Sequence, residues 1–305
     1  MIYTVTLNPS IDYIVRLETL QLGMVNRIQE DFKLPGGKGI NVSRILKQLN
    51  VDSVALGYLG GFTGQFIKDS LDNEGIQNNF TFVEEDTRIN VKIKSNEETE
   101  MNGPGPKITL QEQKEFLEKL SPLTSDDVVI LSGSKPQNLS QDYYQQLIDI
   151  LNQKNVSFVI DTTGEELVEA LQHNPLVVKP NHHELAEIYG FTASSFNEII
   201  PYGKKLLEEG ARFAIVSMAD KGALFFDGNS VYHGQSPHQT VKNSVGSGDS
   251  MIAGFTGTYM TSGDPLEAFR ISLACGSATA FADDLATKEE IDTLIPHIQI
   301  TELQN

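Results

Sequence analysis

Tryptophan is absent from the 305 residues and cysteine occurs once. A single thiol forms no intrachain disulfide, and no Cys/His spacing matches a structural zinc site. Cys275 lies in the small-residue run LACGSATAF and reads as a buried core residue, and a chain so poor in cysteine suits a reducing cytoplasm. Positive charge is scarce too: 23 Lys and Arg against 41 Asp and Glu leave a formal net charge of −18. Without a clustered basic surface, nucleic acid is excluded as an expected partner. No apolar run reaches the ~20 residues of a membrane helix, so no membrane partner is expected. MIYTVTLNPS lacks the basic and apolar regions of a signal peptide. Nucleotide signatures are missing as well. Gly37–Lys38 is followed by Gly39 and Gly203–Lys204 by Lys205, so there is no P-loop, and GYLGGFTG has the wrong spacing for a dinucleotide fingerprint. A protein-kinase H-R-D and D-F-G pair is also absent. Any anionic ligand must therefore be met by cations gathered locally.

What is present is ordinary globular material, 39% hydrophobic and 21% charged, long enough for one large α/β unit spanning 1–305. IYTVTL reads as a buried strand. DYIVRLE, VNRIQEDF and TRINVKIKSNEETEM alternate with period two, which predicts strands with one wet face. They fit a small antiparallel sheet built from excursions around residues 10–35 and 86–102. GINVSRILKQLN places Val42, Ile45, Leu46 and Leu49 on one helical face. From about residue 105 onward, strands alternate with helices. VVILS, VSFVID, LVVKP and RFAIVS are separated by amphipathic segments, with a capping box at Thr109 and Glu112 and a later hairpin around DGN. That rhythm implies a mostly parallel sheet with helices on both faces, whose ligands bind beyond the carboxyl ends of the strands. SGSKP, DTTG, KPNHHE and SMADKG fall at those ends.

Two glycine-rich turns lead into helices. In NSVGSGDSMIAGF, Asp249 stands where nearly bare backbone becomes a helix. It is either a helix cap or a base beside an anion site made by the amides of Gly246, Ser247 and Gly248. In LPGGKGINVSR, glycines allow close backbone approach while Lys38 and Asn41 offer polar contacts. Asn181 and Glu184, at i and i+3, share a helix face and also fit a capping box. Asp12 follows the first strand, and Arg88, Asn90 and Lys92 share one face of TRINVKI, where Arg is the residue type suited to a phosphate.

PGGKGINVS, LSGSKP, KPNHHEL and NSVGSGDSMIAGF, in this order, resemble the ribokinase/phosphofructokinase B family of sugar kinases, and the similarity covers essentially the whole chain. Within it, TVTLNPSIDYIV, TRINVKI and VGSGDSM are most similar to members acting on fructose 1-phosphate, with those acting on tagatose 6-phosphate next. A non-catalytic sugar-phosphate sensor on the same fold is the alternative of another class. The resemblance implies a Rossmann-like α/β fold with a β-sheet lid and phosphoryl transfer from MgATP to a sugar hydroxyl. It implies Asp249 as base and Gly246, Ser247 and Gly248 as anion hole, although Ser247 stands where the family more often has Ala. Sugar contacts fall to Asp12, Gly37, Lys38, Asn41, Arg88 and Asn90, with Arg27 and Lys135 as further phosphate candidates. The nucleotide side falls to Lys179, Ser217, Gly222 and Asn243, Asn243 also neighbouring a monovalent cation such as K+. Mg2+ falls to Asn181 and Glu184. A homodimer clasped through the lids is expected.

Overall fold

The computed structural model describes residues 1–193 and 195–303. The chain enters through the buried strand β1 (Ile2–Thr6), then leaves the body in β2 (Ser10–Arg16) and returns along β3 (Glu30–Gly36) into helix α1 (Lys38–Gln48). Strand β4 (Ser53–Gly60) lies beside β1 and is followed by α2 (Gly61–Asn73) and the short β5 (Gln77–Asn78) and β6 (Thr81–Val83). A second excursion forms β7 (Arg88–Lys94) and β8 (Glu98–Met101). Helix α3 (Leu110–Glu118) opens a regular alternation: β9 (Val128–Ser132), α4 (Tyr143–Gln153), β10 (Ser157–Asp161), α5 (Glu165–Leu171) and β11 (Val177–Val178). Next come α6 (His182–Tyr189), α7 (Phe196–Glu208), β12 (Phe213–Ser217), and a hairpin of β13 (Ala223–Phe226) and β14 (Val231–Gln235). Helices α8 (Ser247–Ser262), α9 (Pro265–Phe281) and α10 (Lys288–Leu294) precede the edge strand β15 (Gln299–Leu303).

The main sheet runs β15-β14-β13-β12-β11-β10-β9-β1-β4-β5, with β6 beside β4. It is parallel from β12 to β5 and antiparallel from β12 to β15. Every residue of β9 is buried, which is why VVILS reads as a continuous apolar run rather than an alternation. One face packs on Phe116, Tyr143, Leu147, Leu167, Leu185 and Leu206 of α3 to α7. The other packs on Ile45, Ile252, Phe255, Phe269, Cys275 and Ile291 of α1 and α8 to α10. The Cys275 thiol is buried there, as its small-residue surroundings predict.

A separate sheet, β3-β2-β7-β8, covers the carboxyl ends of the central strands as a lid. Its hairpins β2–β3 and β7–β8 are antiparallel, and β2 joins β7 in parallel at the centre. Strand β3 corrects the sequence reading. VNRIQEDF alternates, yet residues 25–29 belong to an exposed loop, and the strand is Glu30–Gly36, where Leu34 pairs with Asp12 and Gly36 with Ser10. Pairing with β2, not local alternation, sets its limits. The strand expected in LVVKP is shorter than read, only Val177–Val178.

Candidate active site

Beneath the lid, at the carboxyl ends of β1, β9, β10 and β12, lies a cavity of about 580 Å³, where parallel sheets bind ligands. Two glycine turns deliver helices to it. Gly37 (φ 122) precedes α1, and a Cβ there would lie 2.6 Å from Thr6 Cγ2, so close packing as well as conformation demands glycine. Gly246 (φ 81) is the N-cap of α8, and no side chain caps that helix. Asp249 is therefore in the first helical turn rather than at the cap position. Its carboxylate is 6% exposed and accepts a hydrogen bond from Asn41 Nδ2 at 2.8 Å. The amides opening a helix have no partner within it, and Ser247 Oγ is buried and unpartnered beside them. A glycine turn at a helix start can receive an anion, and here it has a carboxylate at its rim.

Charge is concentrated next to it. Lys38 Nζ donates to Asp161 Oδ2 at 3.1 Å, and Lys179 Nζ stands 3.7 Å from Asp161 Oδ1. Burial opposes the Asp161 charge, but Lys179 and Lys38 outweigh it and hold the carboxyl below the usual range. Burial likewise opposes the Lys38 ammonium, and Asp161 with Asp249 overcomes it, keeping that pKa above the ordinary lysine value. Asp249 goes the other way. Burial, reinforced by the negative charge of Asp161, pushes its pKa up to about 6 despite Lys38, Asn41 and Lys179. Two carboxylates in one cavity thus titrate far apart, the pattern that separates a permanent counter-ion from a proton acceptor.

The lid supplies the other wall. Asp12 accepts from Ser10 Oγ at 2.8 Å and Asn90 Nδ2 at 3.3 Å, and pairs with buried Lys92 at 3.3 Å. Arg88 donates to the carbonyls of Gly103 (3.0 Å) and Asn8 (2.8 Å), while its Nε is buried without a partner. Burial lowers the Arg88 pKa, only partly countered by Asp12, and among the described residues it forms no ion pair. A half-buried guanidinium with a partnerless Nε and no ion pair is chemically suited to an anionic group such as a phosphate.

Asp12, Gly37, Lys38, Asn41, Arg88, Asn90, Lys179, Asn181, Glu184, Ser217, Gly246, Gly248 and Asp249 all line the cavity. Arg27 does not: it is exposed on the β2–β3 loop. Lys135 pairs with Glu166 instead. Gly222 (φ 81) serves a tight turn whose Cβ space is taken by Gly234 O, 2.0 Å away. Asn243 lies in the crevice behind the glycine turn, where its side chain accepts Val245 N at 3.1 Å. Asn181 is spent as the N-cap of α6, its side-chain oxygen taking the amides of His183 and Glu184 at 2.9 Å, while Glu184 Oε2 accepts Asn181 N at 2.7 Å. Among the described residues no group of three or more His, Cys, Asp or Glu could cage a metal. One carboxylate beside a phosphate cradle fits Mg2+, which keeps its waters and binds chiefly through phosphates. Sequence reading missed Asp161, Asn8 and Ser10. For Asp161 the available signal is a carboxylate ending an otherwise apolar buried strand, SFVID.

A model of the pfkB family of carbohydrate kinases matches residues 5–291. A 1-phosphofructokinase of Bacillus subtilis is 48% identical over 303 residues, covering 99% of this chain and all of that protein. A D-tagatose-1-phosphate kinase of Bacillus licheniformis is 36% identical over 304 residues, covering 99% and 100%. Phosphofructokinase-2 of Escherichia coli, crystallised with substrates and products, superposes with a TM-score of 0.92 at 26% identity over 97% of this chain and 98% of that one.

Proposed function

Because this chain belongs to the pfkB family of carbohydrate kinases, we propose that it transfers the γ-phosphoryl group of ATP to the C6 hydroxyl of fructose 1-phosphate, giving fructose 1,6-bisphosphate and ADP. The observation that carries this reading is the buried Asp249 carboxylate at the rim of the uncapped glycine turn, with its pKa raised towards neutrality. Asp249 takes the hydroxyl proton as the oxygen bonds to the γ-phosphorus and the bond to ADP breaks. The amides of Gly246, Ser247 and Gly248, with Lys38 and Lys179, offset the charge on the group in transit, since such transfer depends on positioning and electrostatics more than on covalent chemistry. Asp12, Asn90 and Asn41 hold sugar hydroxyls, and Arg88 takes the phosphate already present. ATP lies towards Lys179 and Ser217. Glu184 would help hold Mg2+, which would supply neutralisation of phosphate charge. We place the reaction in the cytoplasm and the active molecule in a lid-to-lid homodimer.

A second substrate, tagatose 1-phosphate, has the support of the 36% identical relative. ADP release is to be measured on the 1- and 6-phosphates of fructose and tagatose, with wild type and Asp249→Asn. The reading expects the highest kcat/KM on fructose 1-phosphate, and a kcat loss of about 10²–10⁴ in the variant with a smaller change in KM. No turnover on any of the four, with sugar-phosphate binding retained, makes the protein a sensor instead.

A further inference from the structure

Helix α1 carries three polar side chains along one stripe, Lys38, Asn41 and Arg44, spaced i, i+3 and i+6. The first two reach the cavity. Arg44 points elsewhere, with its side chain only 13% exposed and divided between two carboxylates. Its Nε donates to both oxygens of Glu74 at 3.1 Å, and its two terminal nitrogens grip Asp284 in a fork at 3.2 and 2.8 Å. Asp284 belongs to the segment between α9 and α10, and its neighbour Leu285 packs against the glycine turn. A Cβ on Gly246 would stand 2.6 Å from Leu285 Cδ2. The segment is tied to the same turn a second time: Ala286 N donates to Thr279 Oγ1 (3.2 Å), which bonds Ser250 Oγ (2.8 Å), and that hydroxyl donates to Gly246 O (2.8 Å).

We propose that Arg44 is a positioning residue for phosphoryl transfer, fixing the Gly246–Gly248 turn through Asp284 and Leu285 while Asn41, one turn back on α1, fixes Asp249. The proposal rests on the kinase reading and deepens it. Arg44 touches no reacting group. Its effect is to hold the floor beneath the left-handed Gly246, and a misplacement of ~1 Å at a transfer site costs as much as about a hundredfold in rate. Arginine suits the task because its planar fork serves two carboxylates at once, which a lysine ammonium cannot do with the same geometry.

Glu74 provides the control. It ends α2, away from the cavity, so Glu74→Gln and Asp284→Asn each take one carboxylate from the same guanidinium but only the second loosens the turn. Asp284→Asn should lower kcat about tenfold with both KM values within about threefold, and Arg44→Lys should resemble it, whereas Glu74→Gln should keep kcat within about twofold. Backbone amide exchange at Gly248 and Asp249 should quicken in Asp284→Asn and stay unchanged in Glu74→Gln, a readout independent of turnover. Should Asp284→Asn not fold, Leu285→Ala interrupts the same link one residue on. Equal kcat in the two carboxylate variants, or unchanged exchange in the one that reaches the turn, overturns the proposal. A wild type without turnover on any sugar phosphate sinks the kinase reading instead, and the exchange contrast still decides the role of Arg44.

Discussion

Asp249 is a carboxylate whose ionised form the fold disfavours, and that one property has two measurable consequences. As a base it must be deprotonated, so kcat/KM should fall on the acid side with a limb near pH 6, well above the ordinary aspartate value. The same shift enters stability with a definite sign. The folded-state pKa is raised, so the folded state binds the extra proton. Ionised Asp249 therefore costs stability above pH 6, and the cost fades as pH falls from 6 towards the unfolded value near 3.8. Asp249→Asn should then be more stable than wild type at pH 8, by roughly 1–3 kcal/mol, with the gap narrowing below pH 6 and closing only below about pH 3.8. A variant that melts lower at pH 8 makes the carboxylate a structural anion. Arg88 is the opposite case, a half-buried cation whose desolvation Asp12 offsets only in part. Arg88→Ala should raise the KM for the sugar phosphate about thirtyfold, the equivalent of ~2 kcal/mol, and leave the KM for ATP nearly unchanged. A collapse of ATP affinity alone puts the lid against the wrong ligand. Both residues are legible in sequence because the signal is local: glycines before a helix, and a basic residue on an alternating strand. Asp161 is not, since its partnership with Lys38, 123 residues away in the chain, arises only when the fold brings the start of α1 to the carboxyl end of β10.

Elements were legible where one physical cause dominates. The buried strands β9, β10 and β12 and the capped helices α3 and α6 follow directly from apolar runs and capping boxes. Helix α2 escaped notice because it begins in glycines and exposes Phe62, burying only Thr63, Gly64, Ile67 and Leu71. The turn at the start of α8 shows how two glycines in one motif serve different ends. Gly246 has φ 81, and its Cβ space is filled by Leu285, so Gly246→Ala should destabilise the fold by about 1–3 kcal/mol and abolish turnover. Gly248 has ordinary helical backbone, and a Cβ there meets only the flexible end of Lys179, at 2.9 Å. Since alanine favours helix over glycine by about 1 kcal/mol, Gly248→Ala should melt no lower than wild type yet lose kcat, because its methyl enters the anion cradle and displaces Lys179. Thermal melts and kcat for both variants test this. A Gly248→Ala protein that is less stable but fully active contradicts it.

At the scale of the whole molecule, a net charge of −18 makes chance association between copies unfavourable, so any contact between them needs a specific apolar surface. The lid has one. Asp12 and Asn90 line the cavity and Lys92 shares their face of the sheet, leaving Ile89, Val91 and Met101 on the opposite face. Ile89 on β7 and Met101 on β8 are exposed on that face, and the β2–β3 loop holds Leu22 and Val25 at 89% and 91% exposure, with Met24 and Ile28 also exposed. Arg27 sits on this same loop. The flanking strands β3 and β8 are open edges, which proteins normally cover or charge. A second copy of the lid would cover the apolar side chains and the open edges together. We therefore expect light scattering to report a dimer at working concentration. Leu22→Asp with Val25→Asp should give a folded monomer, because those side chains have little to lose within their own chain and the added charges repel across a two-fold contact. An unchanged dimer in that double variant moves the interface off the lid, and a wild-type monomer with full activity removes it altogether.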